Sequence, residues 1–216
     1  MEPGHFIVLE GVDGAGTTTH TRLLGEALRA LRMPVHLTAE PSGGPVGTLL
    51  RLTLTGRVVA GGMTGSPRPP GWNTMGLLFA ADRLDHLDTD VLPNLRDGMT
   101  VVCDRYDHSS IAYQSMTGGG PEAIAWLREI NRHARRPDLT LVLDVPPGVA
   151  AERRKRRRGG GEIFDSDELQ ARLCEFYAGL ERHFPNERIV HIDAVGKVEE
   201  VAARLLATVK PLLEVR

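Results

Sequence analysis

The passage that most constrains the fold runs from Phe6-Ile7-Val8-Leu9-Glu10 through Gly11-Val12-Asp13-Gly14-Ala15-Gly16 into Thr17-Thr18-Thr19. An apolar run that meets a glycine-rich turn and then a helical pattern reads as a buried strand, a tight loop and a helix start. Gly11, Gly14 and Gly16 let the backbone curl so that successive N–H groups point inward. The helix beginning near Thr17 adds unpaired amides and the positive end of its dipole. Such a loop can hold phosphate with its backbone alone. The spacing matches G-x-x-x-x-G-K-[ST], with Thr18 where the metal-holding hydroxyl belongs. The lysine is absent, and Thr17 stands in its place.

Further apolar runs at 35–39, 100–104, 139–144 and 188–192 alternate with helical stretches at 18–31, 46–54, 76–96, 122–134, 148–157, 167–182 and 198–213. That alternation predicts an α/β fold with a five-stranded parallel sheet, and strands as apolar as TVVCD and LTLVLD suit a sheet covered on both faces. Residues 56–74, rich in glycine and proline, read as a mobile surface excursion, and 117–121 as a short loop. Neither an internal repeat nor a linker interrupts the 216 residues, so the chain reads as one domain.

The formal net charge is −2, which gives no overall pull toward nucleic acid, so anion binding must be local. Two cysteines, Cys103 and Cys174, lie far apart without C-x-x-C spacing, which argues against a disulfide framework or a zinc site. The eight histidines show no metal-ligand spacing and read as surface or core residues. No signal peptide is apparent, and no apolar run approaches the roughly 18 residues of a membrane span. The expectation is a soluble, cytoplasmic protein.

Two further features bear on chemistry. The run Thr100-Val101-Val102-Cys103 ends in Asp104, where a carboxylate could hold a metal through water. Residues 153–158 place five arginines and one lysine in a row beside Gly159-Gly160-Gly161. Such a run is a solvated face, a nucleic-acid patch or a phosphate clamp. Its position at a helix end with a glycine hinge, in a nearly neutral chain, favours the clamp.

Several blocks together resemble the thymidylate kinases, which phosphorylate dTMP with ATP and Mg²⁺. They are FIVLEGVDGAG, AEPSGGPVGTLLR, LLFAADRLDH, VVCDRYDHSSIAYQ, PDLTLVLDVPP, FDSDELQARLCEFYAGL and IVHIDAVGKVEEV, in family order over nearly the whole chain. The resemblance implies a three-layer P-loop NTPase fold, an Arg-rich lid at about 153–165 and a homodimer. It implies an ATP site at Gly11, Gly14, Ala15, Gly16, Thr17, Thr18 and Thr19, and Mg²⁺ at Thr18 and Asp104. On the acceptor side, Arg105 would grip the dTMP phosphate, since a guanidinium fork suits phosphate oxygens. Arg51 would be a second basic contact, Phe79 would stack on thymine, and Arg83 would reach a base carbonyl. Gln114 would read the base edge beside Ser109, Ser110 and Tyr113. Asp13 would accept from the sugar 3′-hydroxyl, and Glu40 would lie near the acceptor and metal.

The chain departs from the family at Thr17, at Ala39 in place of the T-R-E-P arginine, and at Glu162-Ile163-Phe164-Asp165 in place of an arginine-bearing lid motif. Arginine supplied from elsewhere can offset a missing loop cation, being worth roughly 10³–10⁵ in rate where it has been measured. Arg153, Arg156 and Arg157 are therefore candidate catalytic residues. The alternatives left open are a nucleotide-binding pseudokinase with a regulatory role, a kinase for another pyrimidine deoxynucleoside monophosphate, and a nucleic-acid tether at the basic run.

Overall fold

The structure is a computed structural model that describes residues 3–62, 65–156, 164 and 166–213. Five parallel strands, β1 (Phe6–Glu10), β2 (Val35–Ala39), β5 (Thr100–Asp104), β6 (Leu139–Asp144) and β7 (Ile189–Asp193), form one sheet in the order β2-β5-β1-β6-β7. The central strand is buried at every position. Its alternate residues face opposite sides, as a period of two requires. Ile7 and Leu9 join a large core with Leu24, Leu28, Leu141 and Leu205, while Phe6 and Val8 join a smaller one with Leu87, Val91, Val101 and Tyr106. An α/β sheet with helices on both faces is the result.

The helices are α1 (Thr17–Ala30), α2 (Pro45–Leu54), α3 (Trp72–His86), α4 (Leu92–Arg96), α5 (Asp107–Gln114), α6 (Gly120–Ile130), α7 (Pro147–Arg156), α8 (Asp167–Tyr177), α9 (Leu180–His183) and α10 (Val198–Leu213). The helical stretch expected over 76–96 starts earlier, at Trp72, and is interrupted by a π-helical turn at Leu87–Val91. Pro93 follows closely; its ring has no N–H and would crowd a carbonyl one turn back, which a widened turn relieves. The excursion at 56–74 is not wholly irregular, because β3 (Ala60–Gly62) and β4 (Gly65–Arg68) pair antiparallel within it. Among the described residues no helix is long and apolar enough to cross a membrane.

Two parallel registers place the chemistry. Leu9 lies opposite Asp104 across β1 and β5, and Ala39 lies opposite Asp104 across β2 and β5. The loop after β1, the turn after β5 and Glu40 after β2 therefore share one carboxyl edge, the usual place for a ligand crevice in such sheets.

Candidate active site

A cleft of about 840 Å³ opens at this edge, lined by the loop after β1, by Glu40 and Arg51, by Phe79, by the start and one face of α5, and by Arg153 and Arg154. The loop is held tightly. Gly14 has φ +91°, and a Cβ there would lie 2.4 Å from the Ala150 carbonyl oxygen, so only glycine lets the loop pack on α7. Gly16, at φ +97°, starts α1 without a side-chain cap, which leaves the first-turn amides at the cleft.

Thr18 donates from Oγ1 to Asp104 Oδ2 at 2.5 Å. The other Asp104 oxygen is buried without a hydrogen-bond partner among the described residues. A hydroxyl beside a half-satisfied carboxylate is a donor set that suits a hard divalent cation. Among the described residues no group of three or more His, Cys, Asp or Glu could hold a metal. Thr18 and Asp104 are the two groups on this edge that could hold such a cation.

Arg105 occupies the left-handed region at φ +69°. For a non-glycine residue that costs about 1–3 kcal/mol and persists only where its surroundings fix it. They do: its amide donates to Leu9 O at 2.9 Å. Its guanidinium donates to Gly11 O at 2.8 Å, Ser109 Oγ at 3.0 Å and Asp13 Oδ1 at 2.7 Å. The phosphate-gripping candidate is thus set in place before any ligand arrives.

The wall beyond Arg105 comes from α5. Gln114 is fully buried and lines the cleft, and among the described residues neither its amide oxygen nor its amide nitrogen is paired; the Tyr113 hydroxyl is buried beside it. Burial pushes the Tyr113 phenol up, so it remains a neutral donor at physiological pH. Phe79 is half-buried in the same cleft, with Ser110 beside it.

Arg83 stands differently from its expected place at a base carbonyl. It is wholly buried, is absent from the cleft lining, and donates to Glu40 Oε2 at 2.6 Å, Ser110 Oγ at 2.8 Å and Asn131 Oδ1 at 2.5 Å. It braces Glu40 and Ser110 from behind. Arg51 is exposed and tied to the Pro41 and Ser42 carbonyls at 2.8 and 2.5 Å.

The basic run divides. Arg153 reaches the loop, donating to Ala15 O at 3.3 Å and Gly14 O at 3.5 Å, with Ala194 O at 3.0 Å as its third contact. Arg154 donates to Asp13 O at 3.1 Å and pairs with Asp167 at 2.6 Å. Arg156 turns outward to Glu152, with its side chain 77% exposed. Arg157, Arg158, the glycines at 159–161 and residues 162, 163 and 165 lie outside the described residues.

Two site residues escaped the sequence reading. Glu10, wholly buried, accepts from Tyr106 N at 2.8 Å, Ser109 N at 3.2 Å, Ser109 Oγ at 2.5 Å and the Tyr177 hydroxyl at 3.0 Å. It caps the start of α5 and so sets where Arg105 and Ser109 stand. Burial raises its pKa, while His108 and Arg105 nearby oppose the rise. Gln170 of α8 is the other, and it binds Asp13. The position of Glu10, one residue before the loop, was a usable signal; nothing in the sequence marked Gln170.

A family model described as thymidylate kinase matches residues 9–205. The chain is 39% identical over 208 residues to a probable thymidylate kinase of Pyrococcus abyssi, covering 96% of each. It is 36% identical over 217 residues to the thymidylate kinase of Rhodopseudomonas palustris, covering 97% of this chain and 90% of that one. With a probable thymidylate kinase of Thermococcus kodakarensis it shares 38% over 210 residues, covering 96% and 98%. With its phosphate loop, its five parallel strands and this match along nearly its whole length, the chain belongs to the thymidylate kinase family.

Proposed function

We infer that this protein transfers the γ-phosphoryl group of ATP to the 5′-phosphate of dTMP. The observation that carries the acceptor side is Gln114, an amide buried in the cleft wall with both polar atoms unpaired among the described residues. Such groups are rare because each costs the desolvation of its polar atoms. A pyrimidine presenting N–H beside a carbonyl would pair both, with its ring against Phe79.

An acceptor phosphate oxygen attacks the γ-phosphorus in line, the bond to the β,γ-bridging oxygen breaks, and ADP leaves. The attacking group is already an anion, so positioning and charge neutralisation dominate over base catalysis. Arg105 would turn its fork to the dTMP phosphate, and Asp13 would accept from the 3′-hydroxyl. Thr18 and Asp104 would hold Mg²⁺, which would supply charge neutralisation to the phosphates. Among the described residues Arg153 meets carbonyls and no carboxylate, so its charge is free to serve the phosphates in place of the loop lysine.

The test is dTDP formation by purified protein with ATP, Mg²⁺ and dTMP, beside a Gly14→Val control that closes the loop. Turnover above the control supports the reading. Tight dTMP binding without turnover would instead indicate a binding protein that has lost catalysis through Thr17.

We also propose a homodimer formed through α3. Leu77 and Leu84, seven residues apart and so on one helix face, are 53% and 40% exposed. Sedimentation should give a dimer that Leu77→Glu splits. The free state of both cysteines suits a cytoplasmic location.

A further inference from the structure

Asp13 has every polar group engaged. Arg105 donates to Oδ1 at 2.7 Å, and Arg154 donates to its carbonyl at 3.1 Å. The other two contacts come from one side chain, because Gln170 accepts from the Asp13 amide at 3.1 Å and donates to Oδ2 at 3.0 Å. The same Gln170 nitrogen also donates to the Phe164 carbonyl at 3.0 Å. Gln170 is only 2% exposed and lies on α8, 157 residues from Asp13 in sequence. A primary amide can meet all three partners at once, since its oxygen takes a backbone N–H while its two N–H groups serve a carboxylate and a carbonyl. Glutamate has no donor to offer, and methionine neither donor nor strong acceptor.

We propose that Gln170 is a positioning residue for phosphoryl transfer, holding the Asp13 carboxylate in the orientation that meets the acceptor sugar and pinning the loop at its Asp13 amide. It touches no substrate and works through Asp13. Asp13 cannot rotate about its side chain without breaking the bond from Gln170 or the bond from Arg105. Each carboxylate oxygen keeps a second lone pair, so the clamp leaves room for one hydroxyl donor. The proposal rests on the thymidylate kinase reading of the cleft.

The experiment uses the full chain with Gln170→Met, Gln170→Glu and Asp13→Asn, singly and combined. Losing one or two buried hydrogen bonds to a charged group is worth about a tenfold effect. Gln170→Met should therefore lower kcat/KM for dTMP about tenfold. In the Asp13→Asn background the same change should cost less than twofold, because both substitutions act on one element. Hydrogen–deuterium exchange supplies the readout that a purely structural role would not split. The Asp13 amide should lose protection in Gln170→Met and keep it in Gln170→Glu, which retains the acceptor, while both variants lose rate. A Gln170→Met enzyme within twofold of the parent, losses that multiply with Asp13→Asn, or unchanged exchange at Asp13 would each overturn the proposal. If the parent formed no dTDP the kinase reading would fall, yet exchange at the Asp13 amide would still report the clamp.

Discussion

Replacing Arg153 by alanine tests whether charge delivered from α7 substitutes for the lysine missing at Thr17. The structural cost is small. Arg153 is half-buried and, among the described residues, donates only to carbonyls, at 3.0, 3.3 and 3.5 Å. The two longer contacts are weak, and net worth of about 1–2 kcal/mol is the reasonable sum. For a chain of this size that lowers Tm by roughly 2–8 °C. The kinetic cost is larger, since removing a positioned group that meets charge in the transition state costs about 10²–10³ in kcat. A hundredfold loss is about 2.7 kcal/mol of barrier. Arg156→Ala is the control: its exposed pairing with Glu152 is worth about 0.3–0.5 kcal/mol and lies away from the cleft. Its rate should match the parent. Thr17→Lys should restore at least tenfold in the Arg153→Ala background, because it returns the ammonium to the loop. The assay is ADP release coupled to NADH oxidation, with dTMP and ATP varied separately. An Arg153→Ala enzyme within threefold of the parent, with Tm lowered as expected, would refute the relocation of charge.

Gln114→Leu keeps the volume and removes the amide; dTMP affinity measured by calorimetry should fall by about tenfold or more, whereas ATP affinity should hold. Gly14→Ala places a methyl on the Ala150 carbonyl and forces an alanine to φ +91°, so Tm should drop by several degrees and the phosphate-loop chemistry should collapse with it. Stability should also depend on pH. Burial opposes charge on His86 and His108. Glu40, Asp90 and Asp82 around the first, and Asp107, Glu187 and Glu10 around the second, more than offset it, so both pKa values rise. A proton held more tightly by the folded state stabilises it below about pH 6.5. That stabilisation drains away as pH climbs through the raised folded values. Unfolding free energy from urea titration should fall as pH rises above about 6.5, and His108→Gln should flatten the slope; a rising profile contradicts the assignment.

The sheet was legible because burial on both faces leaves its three inner strands, β1, β5 and β6, almost wholly apolar, with shorter apolar runs marking β2 and β7. Only the last strand shifted by a residue, to Ile189–Asp193, since Arg188 and Asp193 are equally polar ends. The helix Asp107–Gln114 was not foreseen. Seven of its eight residues are buried, Asp107, His108, Ser110 and Gln114 among them, so no apolar stripe alternates with a solvated face to give a periodic signal, and its first turn is secured by Glu10 from β1. The hairpin at residues 60–68 was hidden by glycine and proline, which suit turns better than strands. Within the site, the structure brings Thr18 to Asp104 and Arg105 to Asp13, and sets Phe79 and Gln114 in one cleft. What escaped was tertiary. Whether Arg83 faces a ligand or a wall, which arginine of the run turns inward, and that Gln170 reaches Asp13 all depend on packing between segments far apart in sequence.

The register of β5 against β1 has a further consequence. Asp104 and Arg105 are neighbours, yet one addresses Thr18 and the other Asp13, because Asp104 ends the strand and Arg105 turns off it in the left-handed region. Sliding β5 by a single residue, about 3.3 Å, would preserve a full ladder of backbone bonds and an apolar interior. It would nevertheless put Cys103 or Arg105 where Thr18 meets a carboxylate, and the proposed metal ligand and phosphate fork would be displaced together. Mis-threaded chains would look folded yet bind nucleotide poorly. Nucleotide, by binding the correctly threaded chain more tightly, would draw the population toward it by mass action. Substrate supply would then help decide how much of the newly made protein ends in the right thread.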